Sequence, residues 1–503
     1  MKFSHLADAL QQHGVRVDFP GDSEPRNPDL QRACFDSRRV QQGDLFCALG
    51  GHEADGRRFL SEAYERGAGA FLLSGDTRYG QLPHLVSGAS AARVAGYAAA
   101  ELAGNPSQQL WMSAVTGTNG KSSIVHMLEY AMNHVGRATA GGGTLGLRFD
   151  QEVAAIRNTT PSADILHQWL AEVQQHGAQA AVLEASSHGI VQDRLVGIDF
   201  DCAAWTNLTH DHLDYHQDME SYGAAKAQLF LRLKESAVAL LPERQDLLDL
   251  CAGTSAQRLT WSLGSSQTAD MRGKLQACSK GLRLHVDSCW GQAVIHSDLI
   301  GEHNAENLLV AAAMMCVAGV SLEQSCLALS QASAAPGRLE RVADNSGFHL
   351  FVDYAHTPDA LIHVLEALRG TYPDRRIGAV FGAGGDRDNA KRAPMGRAVA
   401  ANCDWCIVTS DNPRTEAPHV IAEQVMAGVE EVRAQQIETQ TAVVQSSMVV
   451  DRQEAIQIAA QSLQAGDVLL LAGKGHETYQ EIHGMRHDFD DRIILAEAVQ
   501  CLA

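Results

Sequence analysis

The sequence has little of what marks secreted or membrane proteins. Its longest apolar stretch, residues 308–320, is too short to span a bilayer and predicts a buried helix. Residues 1–14 contain no apolar core of the kind that a secretory signal has. The eleven cysteines form no regular framework, which is typical of a reducing compartment. We therefore expect a cytoplasmic protein.

One cysteine pair needs separate mention. Cys403 and Cys406 have the spacing of redox and metal sites, but they lead into apolar residues and no second such pair is present. Buried structural thiols are the favoured interpretation of this pair.

Positive charge is also scarce. Lys and Arg number 40 against 60 Asp and Glu, which gives a net charge of −20. Such a charge disfavours nucleic acid and anionic membrane surfaces as partners. It does not exclude small anionic ligands, because a few basic side chains in a cleft dominate at contact distance. We expect small-molecule substrates, no nucleic-acid or membrane partner, and a monomer.

The length of 503 residues, at about 150 residues per domain, predicts about three domains. We place them at residues 1–108, 109–337 and 338–503. Asn105-Pro106-Ser107 and Pro336-Gly337 mark the breaks. The first block is a smaller α/β domain that closes with a predicted helix over residues 91–102.

The second block alternates strands and helices. A strand over 110–115 precedes a glycine-rich loop and a helix from Ser122, and further strands are expected over 180–183 and 201–205. This alternation predicts a doubly wound parallel sheet with ligands beyond the carboxyl ends of its strands.

The third block repeats this arrangement in a Rossmann-like sheet. Its strands are predicted over residues 349–352, 377–381, 406–409 and 468–471. Each leads into a polar loop with Gly or Pro, and loops at one end of a sheet form one wall of a cleft. Residues 433–448 predict a surface loop.

Residues 116–123, TGTNGKSS, carry the first chemical signal. A glycine-rich turn between strand and helix surrounds phosphate oxygens with N–H groups, while Lys121 bridges the terminal phosphates and Ser122 holds Mg²⁺. The strict pattern requires Gly where Val115 stands, so a structural turn is the alternative. The flanking strand and helix favour a site for ATP or GTP.

Other candidates are ambiguous one by one. Glu184 ends a strand, where its carboxylate can reach a phosphate-bound Mg²⁺ or simply be solvated. Lys226, taken alone, predicts a surface lysine with a buried stem. Arg387 and Arg414 supply planar forks, which singly suit structural ion pairs and together predict a substrate that bears carboxylates.

The densest cluster is NLTHDHLDYH, residues 207–216, with three His and two Asp. Such a group indicates metal or proton chemistry. It also supports a zinc metallohydrolase, because HDHLD matches most of a dinuclear-zinc signature. Tyr215 stands in place of the final His of that signature, and His216 is one position out of register.

In their order along nearly the whole chain, the motifs resemble those of the Mur ligases of peptidoglycan synthesis. They are TGTNGKSS, NTTPSA, EASSHG, NLTHDHLDYH, AKAQLF, GEHNAENLL, APGRLERV, VDYAHTPDAL, GAGGDRD, DNPRTE and AGKGHE. The resemblance implies an ATP-dependent ligase that activates a substrate carboxylate as an acyl phosphate, which an incoming amine then attacks. A nucleotide-binding scaffold without activity is disfavoured, because more groups converge than binding needs.

The resemblance also implies the nucleotide and metal positions. The ATP-binding positions are Gly117, Thr118, Asn119, Gly120, Lys121, Ser122, Ser123, Asn304 and Arg338. Two Mg²⁺ ions are implied at Ser122, Glu184, His212 and Lys226, with the lysine as its carbamate. The implied catalytic residues are Lys121, Glu184, His212 and Lys226.

Two substrate sites follow from the same resemblance. The positions for the UDP-muramoyl dipeptide are Phe35, Ser37, His52, Glu53, Ala54, Asn158, Thr159, Thr160, Ser186, Gln192 and Arg194. Those for the incoming amino acid, 2,6-diaminopimelate, are Arg387, Asp411, Asn412, Pro413, Arg414, Gly473 and Glu477. Diaminopimelate differs from lysine by an extra carboxylate at the far end of its side chain, which an arginine guanidinium binds and so selects. A lysine-adding ligase is the close alternative, although such relatives lack the arginine.

Overall fold

The computed structural model describes residues 1–18, 27–50, 55–74, 82–87, 90–277, 281–342 and 347–500. Within these ranges the strands form sheets of five, eleven, six and two members. Helices alternate with the strands, so the predicted α/β class is confirmed. None of the described helices is long and apolar enough to cross a membrane.

The chain divides into two units. The first comprises residues 1–274, 285–295 and 306–331, and the second comprises residues 275–284, 296–305 and 332–503. The three domain boundaries expected from the sequence stay a prediction.

The first sheet lies in the amino-terminal part of the first unit. Its order is β1-β5-β4-β3-β2, with β1 antiparallel to β5. Helix α1 buries residues spaced for one helical face, from Phe3 to Leu10. The strands are β1 Val15–Asp18, β2 Ala33–Cys34, β3 Leu45–Cys47, β4 Ala70–Ser74 and β5 His84–Ser87. The helices are α1 Phe3–Leu10, α2 Leu60–Glu65 and α3 Ala91–Leu102.

The second sheet contains eleven strands. They are β6 Trp111–Thr116, β7 Thr139–Gly143, β8 Gly146–Phe149, β9 Glu152–Ala154, β10 Ala180–Glu184, β11 Cys202–Trp205, β12 Val238–Pro242, β13 Gln257–Leu263, β14 Met271–Ala277, β15 Leu282–Ser288 and β16 Gly291–Ser297. The helices are α4 Lys121–His134, α5 Ala163–Gln175, α6 Ser187–Val191, α7 Leu213–His216, α8 Met219–Leu231, α9 Gln245–Leu250, α10 Glu302–Val317 and α11 Leu322–Leu329.

The strand order of this sheet brings three loops together. The order is β16-β15-β14-β13-β12-β11-β6-β10-β7-β8-β9. Strand β6 lies between β10 and β11 and is parallel to both. The loops that follow these three strands therefore meet at one edge, where a doubly wound sheet binds its ligands. The predicted parallel pairing is present, and the predicted buried helix over 308–320 is present as far as Val317, where α10 ends.

The third sheet lies in the second unit and has the order β17-β18-β22-β19-β20-β21. All neighbours are parallel except β17 and β18. The strands are β17 Glu340–Arg341, β18 His349–Asp353, β19 Ile377–Phe381, β20 Trp405–Val408, β21 Gln445–Met448, β22 Val468–Ala472 and the separate hairpin β23 Tyr479–Ile482 and β24 Met485–Asp488. The helices are α12 Pro358–Thr371, α13 Arg392–Asn402, α14 Pro418–Glu438, α15 Arg452–Gln461 and α16 Asp491–Gln500.

Three expectations for this block can be checked directly. The four polar loops follow neighbouring parallel strands, as predicted, so they share one edge of the sheet. The surface loop over 433–448 is wrong, because α14 continues to Glu438 and β21 begins at Gln445. Cys403 and Cys406 are buried free thiols, as expected.

Candidate active site

The glycine-rich loop after β6 has the backbone that phosphate binding requires. Gly117 and Gly120 have φ angles of 145° and 87°, and α4 starts directly after them at Lys121. The Lys121 ammonium donates to the carbonyls of Gly117 and Thr118, at 2.8 Å each. The loop is thus folded around its own lysine, beside the positive end of a helix.

The loop after β11 holds this glycine-rich loop in place. The N–H of Thr118 donates to Asn207 O at 3.0 Å, and the N–H of Asn119 donates to Asn207 Oδ1 at 2.9 Å. Thr206 Oγ1 donates to Asn119 O at 2.6 Å. The loops after β6 and β11, two of the three that converge, are therefore joined by hydrogen bonds.

Gly117 cannot accept a side chain in this arrangement, because an ideal Cβ there would overlap Thr206 Oγ1. We expect Gly117→Ala to lower the free energy of unfolding by about 1–3 kcal/mol, through overpacking and an unfavourable φ. Urea unfolding measures this change. Gly104→Ala is the control, because Gly104 has a φ of 81° with nothing within 4 Å of its Cβ position. Equal losses for the two variants would contradict the steric argument.

Glu184, at the end of β10, is only 2% exposed, so the solvated alternative is wrong. Its Oε2 accepts a hydrogen bond from Ser122 Oγ at 3.0 Å, and its Oε1 accepts the N–H of Thr144 at 2.7 Å. An ideal Cβ on Gly143 would overlap the carboxylate. A hydroxyl and a carboxylate side by side at a phosphate loop fit Mg²⁺, which takes few protein oxygens and completes its shell with phosphate and water.

Lys226, on α8, is 1% exposed, and the interpretation as a surface lysine is wrong. Its ammonium donates to Gly117 O at 2.8 Å and lies 4.4 Å from the ring centroid of Tyr222. Burial, together with the nearby charge of Lys121, holds the pKa of Lys226 well below its usual value, and Asp211 opposes this shift. The neutral amine is therefore favoured, as carbamate formation requires.

The histidine-rich segment packs aromatic rings beside these groups. His188 lies 5.1 Å from His212 and 5.6 Å from His216 between ring centroids, and His216 Nε2 is 2.9 Å from Ser187 Oγ. His212 has a φ of 52° and lies 6.2 Å from Tyr222 between ring centroids. Among the described side chains, which leave out Asp214, no three His, Cys, Asp or Glu converge as metal ligands.

Five of the predicted dipeptide positions lie around the Glu184 loop. Thr160 Oγ1 donates to Glu184 O at 2.8 Å and is 3.0 Å from Ser186 Oγ. Arg194 donates to Thr160 O at 2.7 Å and to Gln192 Oε1 at 2.5 Å. Thr159 Oγ1 is 3.1 Å from Thr144 Oγ1.

The remaining positions of the first unit are less connected. Asn158 is exposed. The N–H of Phe35 donates to Asp164 Oδ2 at 3.2 Å, and Ser37 Oγ donates to Glu62 at 2.8 Å. His52, Glu53 and Ala54 lie outside the described residues. Ser123 is buried on α4.

In the second unit, the loop of residues 411–414 after β20 and the loop after β22 are joined. Asn412 Nδ2 donates to Glu477 Oε2 at 2.7 Å. Asp411 Oδ2 is buried and accepts no hydrogen bond from the described residues, and an ideal Cβ on Gly473 would overlap this carboxylate. Burial raises the pKa of Glu477, and Lys474 opposes the shift.

Arg414 is held on both sides of its backbone and at its guanidinium. It has a φ of 51°, its N–H donates to Glu481 O at 3.0 Å, and its carbonyl accepts the N–H of His483 at 2.6 Å. Its Nη1 donates to Gly385 O at 2.7 Å. The Arg414 guanidinium is thus fixed in place. Pro413, directly before it, is buried, and Arg387 on the neighbouring loop is exposed.

Asn304 and Arg338, the remaining ATP positions, also belong to the second unit. Asn304 is buried and donates to Ile300 O at 2.9 Å. The Arg338 guanidinium lies 4.8 Å from the ring centroid of Tyr354. Their predicted role with the nucleotide stays a prediction.

Sequence reasoning missed several residues that organise the site. Thr144 holds Glu184, and Lys474 lies between Asn412 and Glu477. Arg452 and Asp491 form an ion pair with both side chains fully buried, at 2.6 Å. Arg452 also donates to Ser410 O at 3.4 Å and Ala472 O at 3.0 Å, the last residues before the two joined loops. A lysine between glycines could have drawn attention to Lys474, whereas no sequence signal points to Arg452.

Comparison with known proteins places this arrangement in a family. The model of the Mur ligase family, catalytic domain, matches residues 30–109, the Mur ligase middle domain matches 115–315, and the Mur ligase, glutamate ligase domain, matches 337–475. The chain belongs to the Mur ligase family. This confirms the expected family and the expected class of enzyme, an amide-bond-forming ligase.

Individual Mur ligases are similar over nearly the whole chain. The UDP-N-acetylmuramoyl-L-alanyl-D-glutamate–2,6-diaminopimelate ligase of Chromobacterium violaceum is 38% identical, over 93% of this chain and 94% of the relative. The enzyme of the same name from Nitrosomonas europaea is 36% identical, over 93% and 92%. A solved structure of a ligase of this name has a TM-score of 0.71 at 34% identity, over 100% and 99%.

A MurF ligase from Thermotoga maritima, solved in complex with ADP, is more distant. It has a TM-score of 0.61 at 17% identity, over 94% of this chain and 96% of that chain. That likeness shows the common fold alone.

Proposed function

We propose that this Mur ligase joins 2,6-diaminopimelate to the D-glutamate carboxylate of UDP-N-acetylmuramoyl-L-alanyl-D-glutamate, with ATP as the energy source. The fixed guanidinium of Arg414 carries the proposal, together with the buried Asp411 and the half-buried Glu477 of the two joined loops. These three side chains provide one cation and two anions, which suit an amino acid with a carboxylate and an amine at its far end. The named relatives at 35–38% identity support it.

The nucleotide site is proposed at the glycine-rich loop. Backbone N–H groups of residues 117–123 and the Lys121 ammonium would bind the ATP phosphates. Ser122 and Glu184 would hold one Mg²⁺, and His212 with carbamylated Lys226 a second. Such ions neutralise the charge of the transferring phosphoryl group. The acyl phosphate would form on the substrate carboxylate and release phosphate when the amine attacks.

The dipeptide would lie where Thr159, Thr160, Ser186, Gln192 and Arg194 converge beside Glu184. The Arg194 guanidinium is anchored by Thr160 O and Gln192, so it can meet an anionic group without moving. The uridine end is assigned to Phe35 and Ser37, together with His52, Glu53 and Ala54.

We place the enzyme in the cytoplasm as a monomer. The nine described cysteines are free thiols, which fits a reducing compartment. Gel filtration against standards tests the monomer.

The decisive assay measures phosphate release with ATP, Mg²⁺, the UDP-muramoyl dipeptide and either diaminopimelate or lysine. We expect lysine to be used about 100-fold less efficiently, or worse, because its ammonium would face the Arg414 guanidinium. Comparable kcat/KM for the two amino acids would favour the lysine-adding alternative. Tightly held zinc together with hydrolysis in the absence of ATP would favour the metallohydrolase.

A further inference from the structure

Lys474 is a fully buried cation that none of the roles above uses. It lies between β22 and β23 with an exposed fraction of 0%. Its ammonium is 3.1 Å from Asn412 Oδ1 and 3.4 Å from Glu477 Oε2. A lysine is rarely fully buried without a specific partner, so these two contacts define what the residue does.

The contacts form a closed set of hydrogen bonds. Asn412 Oδ1 accepts from both the Lys474 ammonium and the N–H of Glu481, the latter at 2.9 Å. Both neighbours are donors only, so the oxygen of the amide must face them and its NH₂ group must point away. The NH₂ group then donates to Glu477 Oε2 at 2.7 Å. Lys474 and the N–H of Glu481 thereby fix the orientation of Asn412, and Lys474 and Asn412 together hold the Glu477 carboxylate.

The surroundings make this charge effective. The Lys474 ammonium lies 5.7 Å from the ring centroid of Tyr479 and 5.9 Å from that of Phe489. Aromatic rings attract the cation, and shielding from water strengthens its field. Glu477 also faces Asp411, Tyr354, Tyr479 and Arg452. Asp411 opposes the ionisation of Glu477, whereas Lys474 and the Asn412 hydrogen bond favour it.

We propose that Lys474 is a positioning residue of the amino-acid site, which holds the Glu477 carboxylate ionised and oriented for an amino group of the incoming amino acid. This inference rests on the function proposed above. Lys474 itself does not touch the substrate in this assignment. It acts through Asn412 and Glu477, so its removal should affect one substrate and spare the others.

The test uses Lys474→Met, which removes the charge at similar length, and Lys474→Gln, which keeps a donor without the charge. We expect the KM for diaminopimelate to rise about 10- to 100-fold in both, as when a group that orients a ligand-binding side chain is lost. The KM values for ATP and for the UDP-muramoyl dipeptide should stay within about twofold of wild type, since neither hydrogen-bond partner of Lys474 is a residue predicted for those sites.

The pH profile separates this role from a structural one. Without Lys474 the pKa of Glu477 should rise further, because the Asn412 hydrogen bond then opposes burial and Asp411 without the lysine charge. The rise of kcat/KM for diaminopimelate with pH should therefore move to higher pH in both variants. A general loss of folding stability would lower activity without shifting the pH at which kcat/KM rises.

Arg376→Met is the matched control. Arg376 pairs with Asp467 at 2.9 Å and lies 5.6 Å from the ring centroid of Trp405, at the opposite end of the same sheet. It should leave the KM for diaminopimelate unchanged. The proposal would be overturned if Lys474→Met folds and keeps the wild-type KM for diaminopimelate and the wild-type pH dependence of kcat/KM. Loss of the fold in both Lys474 variants would also overturn it. A wild-type enzyme that does not use diaminopimelate would instead overturn the proposed function.

Discussion

Lys226→Met is expected to lower kcat by about 10²–10³-fold, the usual loss when one preorganised electrostatic group is removed. The lysine is 1% exposed and its pKa is depressed by burial and by Lys121. Both effects shift the side chain toward its neutral amine, and addition of CO₂ would turn that amine into an anionic ligand facing the phosphate loop. Single-turnover phosphate release measures the loss directly.

Chemical rescue distinguishes the carbamate from other roles. Formate should restore part of the activity of Lys226→Ala, because the truncated side chain leaves room for a small carboxylate, and should not restore Lys226→Met. Lys234→Met is the control, since Lys234 is an exposed partner of Asp201 on the same unit. Full activity of wild-type enzyme in buffer stripped of CO₂ and bicarbonate would refute the carbamate.

Arg414→Ala is expected to cost about 2–4 kcal/mol of diaminopimelate binding, a 30- to 700-fold rise in KM. Its guanidinium is held by Gly385 O and its backbone by Glu481 and His483, so the fork is placed before substrate arrives. Arg414→Lys should recover little, because an ammonium lacks the planar pair of donors. Steady-state kinetics with each substrate in turn measure the effect.

Arg414→Ala should also reduce the preference of the enzyme for diaminopimelate over lysine. The variant loses both the attraction of the guanidinium for the far carboxylate of diaminopimelate and its repulsion of the lysine ammonium. Arg397→Ala is the control, because its exposed pair with Glu431 joins α13 to α14 in the same unit. An unchanged KM for diaminopimelate in Arg414→Ala would disprove the assignment of this residue.

Much of the fold follows from the sequence because its strands are apolar runs that end in polar loops. Strands β6, β10, β19 and β22 lie within one residue of the predicted limits at each end. Strand β7, TAGGG, gives no such signal, since glycine is depleted in strands. Its glycines are required by neighbours, because a Cβ on Gly143 would overlap the Glu184 carboxylate.

Two wrong expectations have physical causes. Lys226 looks like a surface lysine because its burial comes from Gly117 and Tyr222, of which only Tyr222 is near it in sequence. The helix α14 extends beyond its last buried residue, Val429, so its final turns have no apolar periodicity to reveal them. In both cases the outcome depends on tertiary packing: Lys226 has a contact that is distant in sequence, and the end of α14 has no buried residue.

The buried pair of Arg452 and Asp491 has a consequence for inhibitor design. The Arg452 guanidinium donates to the carbonyls of Ser410 and Ala472, so it sets the spacing of the two loops where we propose that the amino acid binds. A compound that forces these loops apart must break hydrogen bonds to the buried Arg452 guanidinium, at a cost of about 1.5–3 kcal/mol each. Compounds shaped to the existing spacing avoid that loss. Rigid mimics of the amino acid should therefore outperform bulky ones at this end of the sheet.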